Sequence, residues 1–450
     1  MRESPGTHDP VTCGSRDPVG WWSVTAGSSR FVLPFHAGTA RPEGLLGPPT
    51  VVAMKALVLE NIHAAAVEVL EDRGYQVVTH PGAMSEAELV ESLSDVNLLG
   101  IRSNTKVTER VLDSAPLLEA VGCFCIGTNQ VDLAAAAEKG VGVFNAPYSN
   151  TRSVVELVIG EIIALTRRLP EKTQRMHDGV WDKSARGSHE VRGRTLGIVG
   201  YGNIGTQLSN VAEALGMRVV FYDKADRPAH GNARRMTSLA ELLGVADVVS
   251  LHVDGRPGNA GLFGADEFAA MKQGALFLNA SRGMVVDYDS LRDHVVSGHI
   301  AGAAVDVFPV EPKAQGDSFE SVLRGLDNVI LTPHIGGSTQ EAQEEIGQFV
   351  AQKLAGFALE GSTALSVNLP AVLTPPLDAG HRLGLLHHNV PGVLAHLNAV
   401  FAAAGDNVVD QHLSTKDHLG YVVSDATQPL SSEAIERLRD SEHCLWVRTW

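Results

Sequence analysis

Three residues suited to moving a proton and gripping an anion stand in the second half of the chain: Arg282, Glu311 and His334. Each follows an apolar run of strand length. Residues 275–279 lead into Asn279-Ala280-Ser281-Arg282-Gly283, 302–307 into Asp306-Val307-Phe308-Pro309-Val310-Glu311-Pro312, and 328–332 into Thr332-Pro333-His334-Ile335-Gly336-Gly337. An imidazole titrates near neutral pH and can take the proton of a hydroxyl group. A glutamate on its other ring nitrogen fixes the tautomer and stabilises the imidazolium. A guanidinium fork holds a carboxylate at two points and polarises a developing carbonyl. Alone, Arg282 or Glu311 reads as a surface residue or ion-pair member, and His334 as the start of a helix. Together at three strand ends they fit oxidation of a hydroxyl carbon by hydride transfer.

A hydride acceptor is implied upstream. Leu196-Gly197-Ile198-Val199 reads as a buried strand that runs into Gly200-Tyr201-Gly202-Asn203-Ile204-Gly205, with a helix from Thr206 to Leu215 behind it. In a strand–GxGxxG–helix unit the first glycine, Gly200, makes the tight turn. Gly202 lets the backbone approach a pyrophosphate, and Gly205 lets the helix pack on the strand. The helix N-terminus faces the phosphates with unpaired N–H groups. Asp223 ends the next strand, 18 residues beyond Gly205. A carboxylate there accepts from a ribose 2′-hydroxyl and repels a 2′-phosphate, which favours NAD over NADP.

These residues need a parallel sheet to carry them. From Met54 short apolar strands (55–60, 75–79, 97–101, 118–124, 141–144) alternate with helices such as 62–73, 85–93 and 132–138. A long helix at 153–169, apolar nearly all round, reads as a core connector or part of a subunit interface. A second series has strands at 195–200, 218–223, 247–252, 275–279, 302–307 and 328–332, then a helix at 338–358. The rhythm predicts an α/β chain with two Rossmann-like, doubly wound parallel-sheet domains. After the proline-bearing linker 368–376, the pattern β-α-β-β-α-β (381–387, 391–404, 407–413, 419–425, 431–440, 444–449) predicts a ferredoxin-like module. The expected divisions are a substrate domain at 54–149 completed by 337–370, a cofactor domain at 150–336 and the module at 379–450. Residues 1–53, rich in Gly, Pro, Ser and Thr, read as disordered or as sequence upstream of a start at Met54, with a small apolar patch at Trp21, Trp22 and Phe31.

Composition narrows the partners. A formal charge of −16 argues against nucleic acid, whose phosphates demand basic patches, but not against a small anion. Cys13, Cys123, Cys125 and Cys444 form neither a zinc framework nor a disulfide scaffold; Cys123 and Cys125 read as small buried side chains, and no metal is expected. No apolar run approaches a membrane span, and the N-terminus lacks the order of a signal peptide, so the expected location is the cytoplasm.

Residues 54–450 resemble the D-2-hydroxyacid dehydrogenase family, in its phosphoglycerate-oxidising form with a C-terminal ACT domain. The likeness lies in Gly122 to Leu133, Asn145 to Ser153, Gly197 to Gly205, Asn279 to Gly283 and Thr332 to Gln343. It implies NAD-dependent oxidation of 3-phosphoglycerate to 3-phosphohydroxypyruvate, the first step of L-serine synthesis. It makes His334 the acid/base, Glu311 its partner and Arg282 the substrate cation. Cofactor contacts would include Asn203, Ile204, Asp223, Ala280, Ser281, Arg282, Asp306 and the turn His334, Ile335, Gly336 and Gly337. Substrate contacts map onto Arg102, Ser103, Asn150, Trp181, Lys183 and Gln343. Trp181 and Lys183 would reach a neighbouring subunit's site in a homotetramer. His387, Asn389 and Asn407 would bind L-serine as a feedback effector across a pair of ACT domains, with Pro391 in the first turn of the helix beyond. One departure stands out: the related pattern often has a second basic residue two after Arg102, and here it is Asn104. That leaves a dehydrogenase of another acid, such as 2-hydroxyglutarate, as the alternative. A non-catalytic NAD-dependent regulator would be expected to lack one of the three reactive residues. An amino-acid-sensing module alone would explain only 380–450.

Overall fold

The computed structural model describes residues 54–312, 316–377 and 380–450. The expected N-terminal extension and its apolar patch lie outside the described residues. The expected strands are present, with ends within three residues of the limits read from the sequence.

Five strands form the first sheet: β1 (Lys55–Val58), β2 (Gln76–Thr79), β3 (Leu98–Ile101), β4 (Ala120–Cys123) and β5 (Gly142–Asn145). Their order is β2-β1-β3-β4-β5, all parallel. Successive residues enter opposite cores, as a pleated strand requires. Ala56, Val58, Leu98 and Ala120 face one core, while Leu57, Leu99, Ile101, Val121 and Cys123 face the other. Cys125, past the end of β4, packs on the same side as Cys123, and burial raises both thiols above their ordinary range.

Seven strands form the second sheet: β6 (Thr195–Val199), β7 (Arg218–Tyr222), β8 (Arg234–Arg235), β9 (Val248–Leu251), β10 (Ala275–Asn279), β11 (Ile300–Val305) and β12 (Val329–Leu331). They run parallel in the order β12-β11-β10-β9-β6-β7-β8. The chain reverses its direction of travel across the sheet between β6 and β9. A crevice opens beyond the carboxyl ends of strands at such a point. β8, two exposed arginines at the edge, has no periodicity that a sequence could show.

Two long helices join the sheets. Thr151–Thr166 buries Val154, Val155, Val158, Ile162 and Leu165 in one core of the second sheet, as the core-connector reading expected. Gln340–Glu360 returns to the first sheet, where Val350, Leu354 and Phe357 join Ala120, Phe124 and Phe144. A helix not read from the sequence, Leu169–His177, has no buried residue and so carries no apolar stripe to announce it.

The C-terminal module has β13 (His381–His388), a helix Val393–Ala404, β14 (Val408–Lys416), β15 (Leu419–Ala426), a helix Ser432–Arg439 and β16 (Cys444–Thr449). The sheet is antiparallel, ordered β14-β15-β13-β16, which is the ferredoxin-like arrangement. Gly392, at φ 98°, precedes the first helix as its cap, so Pro391 stands just before the helix and not within its first turn. The module docks on the first sheet through Arg448. Its guanidinium donates to Glu119 at 2.7 Å and lies over the rings of Trp446 and Trp450.

Candidate active site

The carboxyl ends of β10, β11 and β12 bring Arg282, Glu311 and His334 into one another's fields. His334 has φ 54°, a left-handed conformation that costs energy for a residue with a side chain and needs support. Asp306, 2% exposed at the end of β11, supplies it. Its Oδ1 accepts from the Thr332 hydroxyl (2.6 Å) and the Ile335 N–H (2.8 Å), and its Oδ2 from the Gly336 N–H (2.8 Å). Asp306, expected at the cofactor, therefore has both oxygens committed to the turn that presents His334. The turn is gripped from its other side as well. Ser153 donates to the Gly336 carbonyl (2.6 Å), and Gln343 Nε2 donates to the Gly337 carbonyl (3.0 Å).

His334 Nδ1 meets Glu311 Oε2 at 2.8 Å, and Glu311 Oε1 accepts from the Phe308 N–H at 3.0 Å. The bond from Glu311 raises the imidazole above its ordinary pKa; partial burial opposes this, and the charges of Glu311 and Asp306 add to it. Burial works to raise Glu311, but bonds from His334 and Phe308 and the charges of His334 and Arg282 outweigh it and hold the carboxyl below its usual range. An ionised Glu311 demands a proton on Nδ1. The neutral ring is then left with its lone pair on Nε2, the nitrogen free to act as a base.

Arg282 stands on a turn built by Asn279. The Asn279 carboxamide accepts from Ser281 N–H and Oγ (3.0 and 2.7 Å) and donates to the Arg282 carbonyl (3.2 Å) and Tyr288 Oη (3.0 Å). Tyr288 in turn donates to the Val307 carbonyl at 2.6 Å. The Arg282 and Glu311 loops touch so closely that a Cβ on Gly283 would fall 2.0 Å from the Phe308 carbonyl carbon.

Beside these residues lies a cleft of about 360 Å³ lined by Gly200, Gly202, Asn203, Ile204, Asp223, Ala280, Ser281 and Arg282. The chemistry of this set fits a dinucleotide. Gly200 has φ 94°, and a Cβ there would meet the His252 carbonyl oxygen at 2.6 Å. A Cβ on Gly202 would point into open space, so the backbone is bare toward the cleft. No side chain caps the helix Asn203–Ala214, which leaves its first N–H groups to a phosphate. Asp223 accepts from the Tyr201 and Ala225 N–H groups, each at 2.8 Å, which fixes the carboxylate at the wall of the cleft, where it could accept from a ribose hydroxyl. Gly205 lies beneath, where a Cβ would meet the Gly200 carbonyl oxygen at 2.3 Å. His334, Ile335, Gly336 and Gly337 are held at the neighbouring strand end and do not line the cleft. Ile126 and Pro147 line it from the loops of the first sheet, so it lies between the two sheets.

Sequence reasoning missed other residues of the cleft. Lys224, Arg227 and Arg256 flank Asp223; basic residues just after β7 and β9 were the available signal. His252 has Nε2 2.9 Å from Ser250 Oγ, and burial pushes its pKa down to about 4, so the ring is neutral at physiological pH.

Comparison with known proteins is decisive about family. Residues 159–336 match the family described as D-isomer specific 2-hydroxyacid dehydrogenase, NAD binding domain. D-3-phosphoglycerate dehydrogenase of Escherichia coli K12 is 51% identical over 389 residues, covering 86% of this chain and 95% of the relative. The Haemophilus influenzae enzyme of the same name is 48% identical, covering 88% and 97%. The chain belongs to the D-2-hydroxyacid dehydrogenase family, among the D-3-phosphoglycerate dehydrogenases. Among solved structures, a Thermus thermophilus protein is 33% identical with a TM-score of 0.62, covering 68% of this chain and 97% of that one. D-lactate dehydrogenase of Aquifex aeolicus, solved with NAD and lactic acid, is 26% identical with a TM-score of 0.60, covering 70% and 100%. The chain is thus an NAD-dependent 2-hydroxyacid oxidoreductase, and its cofactor is NAD.

The residues that the family pattern assigns to substrate fall into three groups. Arg102 and Ser103 sit on a loop shaped by buried Glu60, whose carboxylate accepts from the backbone N–H groups of Arg102, Asn104 and Thr105 at 3.1, 3.1 and 2.9 Å. Asn150 and Gln343 meet at Gly337, where a Cβ would lie 2.5 Å from Asn150 Nδ2. Trp181 is 78% exposed and Lys183 is exposed on the same stretch; neither lines the cleft.

The residues assigned to the effector are also divided. His387 pairs with Gly420 at one end of β13, and Asn389 follows it. Asn407 precedes Val408, which pairs with Ala426 and so lies level with His381 at the other end of the sheet. Within one module, then, Asn407 is a full strand length from His387 and Asn389. His387 is buried, with Nδ1 2.8 Å from the His388 carbonyl oxygen, and burial lowers its pKa.

Proposed function

We propose that the enzyme oxidises 3-phosphoglycerate to 3-phosphohydroxypyruvate, the first step of L-serine synthesis, in the cytoplasm. The observation that carries the reading is the His334–Glu311 pair, set beside Arg282 at the edge of the cleft. When bound, NAD accepts the hydride from the carbon that bears the hydroxyl. His334 Nε2 takes the hydroxyl proton, and Glu311 stabilises the imidazolium so formed. Arg282 holds the substrate carboxylate and favours the carbonyl as it develops. The cation of the Arg102 loop faces the phosphate, with Asn150 and Gln343 as further contacts. Trp181 and Lys183 serve a neighbouring subunit's site in a homotetramer, which suits their exposure. The test is NAD reduction with 3-phosphoglycerate by wild type and His334→Ala. A loss of about 10²–10⁴-fold in kcat is expected for removal of a general base; activity that survives in the variant overturns the role.

A second substrate reading rests on Asn104. Its backbone is held by Glu60, but its side chain is exposed and carries no charge for a phosphate. Relative turnover on 3-phosphoglycerate and 2-hydroxyglutarate separates the two.

We also propose that the C-terminal module is an ACT domain that binds L-serine between two copies. The separation of His387 and Asn389 from Asn407 supports this, because two modules placed head to tail would bring opposite ends together. A rate indifferent to millimolar serine would sink the proposal.

A further inference from the structure

One buried acid near the reactive turn has no place in the chemistry above. Glu161 lies on the helix Thr151–Thr166, is 5% exposed, and its Oε1 is shielded from solvent without a hydrogen-bond partner among the described residues. Residues 150, 153, 154, 157 and 161 share one face of a helix at 3.6 residues per turn. That face is the one that meets the His334 turn. Asn150 touches Gly337 and Ser153 donates to the Gly336 carbonyl, while a Cβ on Gly336 would lie 3.3 Å from Val154 and 3.9 Å from Leu157. Glu161 is the next residue on this stripe, and the charge that acts on it is that of Asp306.

The two acids have opposite surroundings. Asp306 accepts three hydrogen bonds, which stabilise its anion. Among the described residues Glu161 has no donor at Oε1 and no cation to offset its burial. The strands under this helix, Ala275–Asn279 and Ile300–Val305, carry no titratable side chain. On the helix Asn203–Ala214 the acid Glu213 is bonded to the Asn232 N–H, and on its own helix Glu156 pairs with Arg152. The helix Leu169–His177 carries Glu171, Lys172, Arg175 and His177, of which Glu171 pairs with Arg175 and Lys172 with Asp182. Beyond Asp306 stand His334, Glu311 and Arg282. A proton shared between two neighbouring acids goes to the one whose anion is least supported.

We propose that Glu161 is a positioning residue for His334: it keeps its proton so that Asp306 can hold the turn without a second negative charge behind it, and its ionisation loosens that turn. The inference rests on the acid/base role proposed for His334. Burial, reinforced by Asp306, raises the Glu161 carboxyl to about 8. A second negative charge then appears behind Asp306 as pH rises through that value. Repulsion pushes Asp306 off Ile335 and Gly336, and the strained φ of His334 loses its support.

Two measurements test this. The first is kcat/KM for NAD reduction against pH, for wild type and Glu161→Gln. Wild type should lose about tenfold for each unit above the midpoint, as the protonated share falls. Glu161→Gln, which cannot ionise, should lack this alkaline limb while the acid limb of His334 stays in place. The shape of the profile is the readout, not its height. The second needs no substrate and no folded variant: the infrared band of an un-ionised carboxylic acid in the wild-type protein should be present at pH 7 and fade by pH 9. An alkaline limb that persists in Glu161→Gln overturns the positioning role. A spectrum without the fading band overturns the proton assignment. Loss of catalysis on every acid tried would instead count against the proposed reaction and leave the infrared result standing on its own.

Discussion

Glu311→Gln separates two accounts of what Glu311 does. The carboxylate uses one oxygen on the Phe308 N–H and the other on His334 Nδ1. A carboxamide has one acceptor oxygen, and its nitrogen can only donate. If its oxygen stays on Phe308, its NH₂ faces Nδ1 and is satisfied only by a lone pair there, which moves the ring proton to Nε2. The base is then in the wrong tautomer. The competing account makes Glu311 a simple charge partner. Its side chain and that of His334 are 36% and 48% exposed, which holds such a pair to about 1 kcal/mol, or roughly fivefold in rate. Loss of the tautomer forfeits general-base catalysis, about 10²-fold or more. The assay is initial-rate NAD reduction across pH 5 to 9, with pre-steady-state bursts to confirm that chemistry is measured. The acid limb should move as well. Oxidation needs the neutral imidazole, so rate is lost as pH falls through the His334 pKa. Glu311 holds that pKa above its ordinary value, and its replacement moves the limb to lower pH. A plateau reduced fivefold or less with an unmoved limb refutes the argument.

Gly283→Ala should destabilise the protein by about 1–3 kcal/mol or more, read as a lower urea midpoint, and should cut kcat/KM because Arg282 cannot keep its place against Phe308. Asp223→Asn should weaken NADH binding in a fluorescence titration by about tenfold, and should narrow the preference over NADPH because Lys224 and Arg227 then face a 2′-phosphate without an opposing anion; an unchanged ratio would show that Asp223 does not set the preference. Asn104→Arg should lower KM for 3-phosphoglycerate several-fold with kcat nearly constant, and an unmoved KM would show that position 104 makes no phosphate contact.

What the sequence disclosed divides along a physical line. Apart from the two-residue edge β8, the strands β1 to β16 were legible, most of them from an apolar pattern imposed by their own burial, and the largely exposed β2 and β14 from their place in the alternation of strands and helices. The glycine loop and Asp223 were legible because the dinucleotide fixes both residue type and spacing. Arg282, Glu311 and His334 were legible as strand-end residues of the right chemistry. The residues that hold them in place were not. Glu60 works on a loop more than 40 residues away, Asp306 braces a turn that begins 26 residues later, and Asn279 reads as the polar end of a strand. Each is a buried polar group whose value comes from donors brought to it by the fold. Left unpaired, any of them would cost more than it contributes. Such pairing leaves no periodicity, because its partners belong to other elements. The helix Leu169–His177 was hidden for the opposite reason, since it buries nothing. Trp181 and Lys183 lie just beyond it, large or charged side chains on an exposed stretch, which one chain leaves unexplained and a neighbouring subunit's substrate would explain. The division predicts where substitutions act: changes at Arg282 or His334 should lower kcat in a folded enzyme, whereas Asp306→Ala or Glu60→Ala should lower stability and activity together.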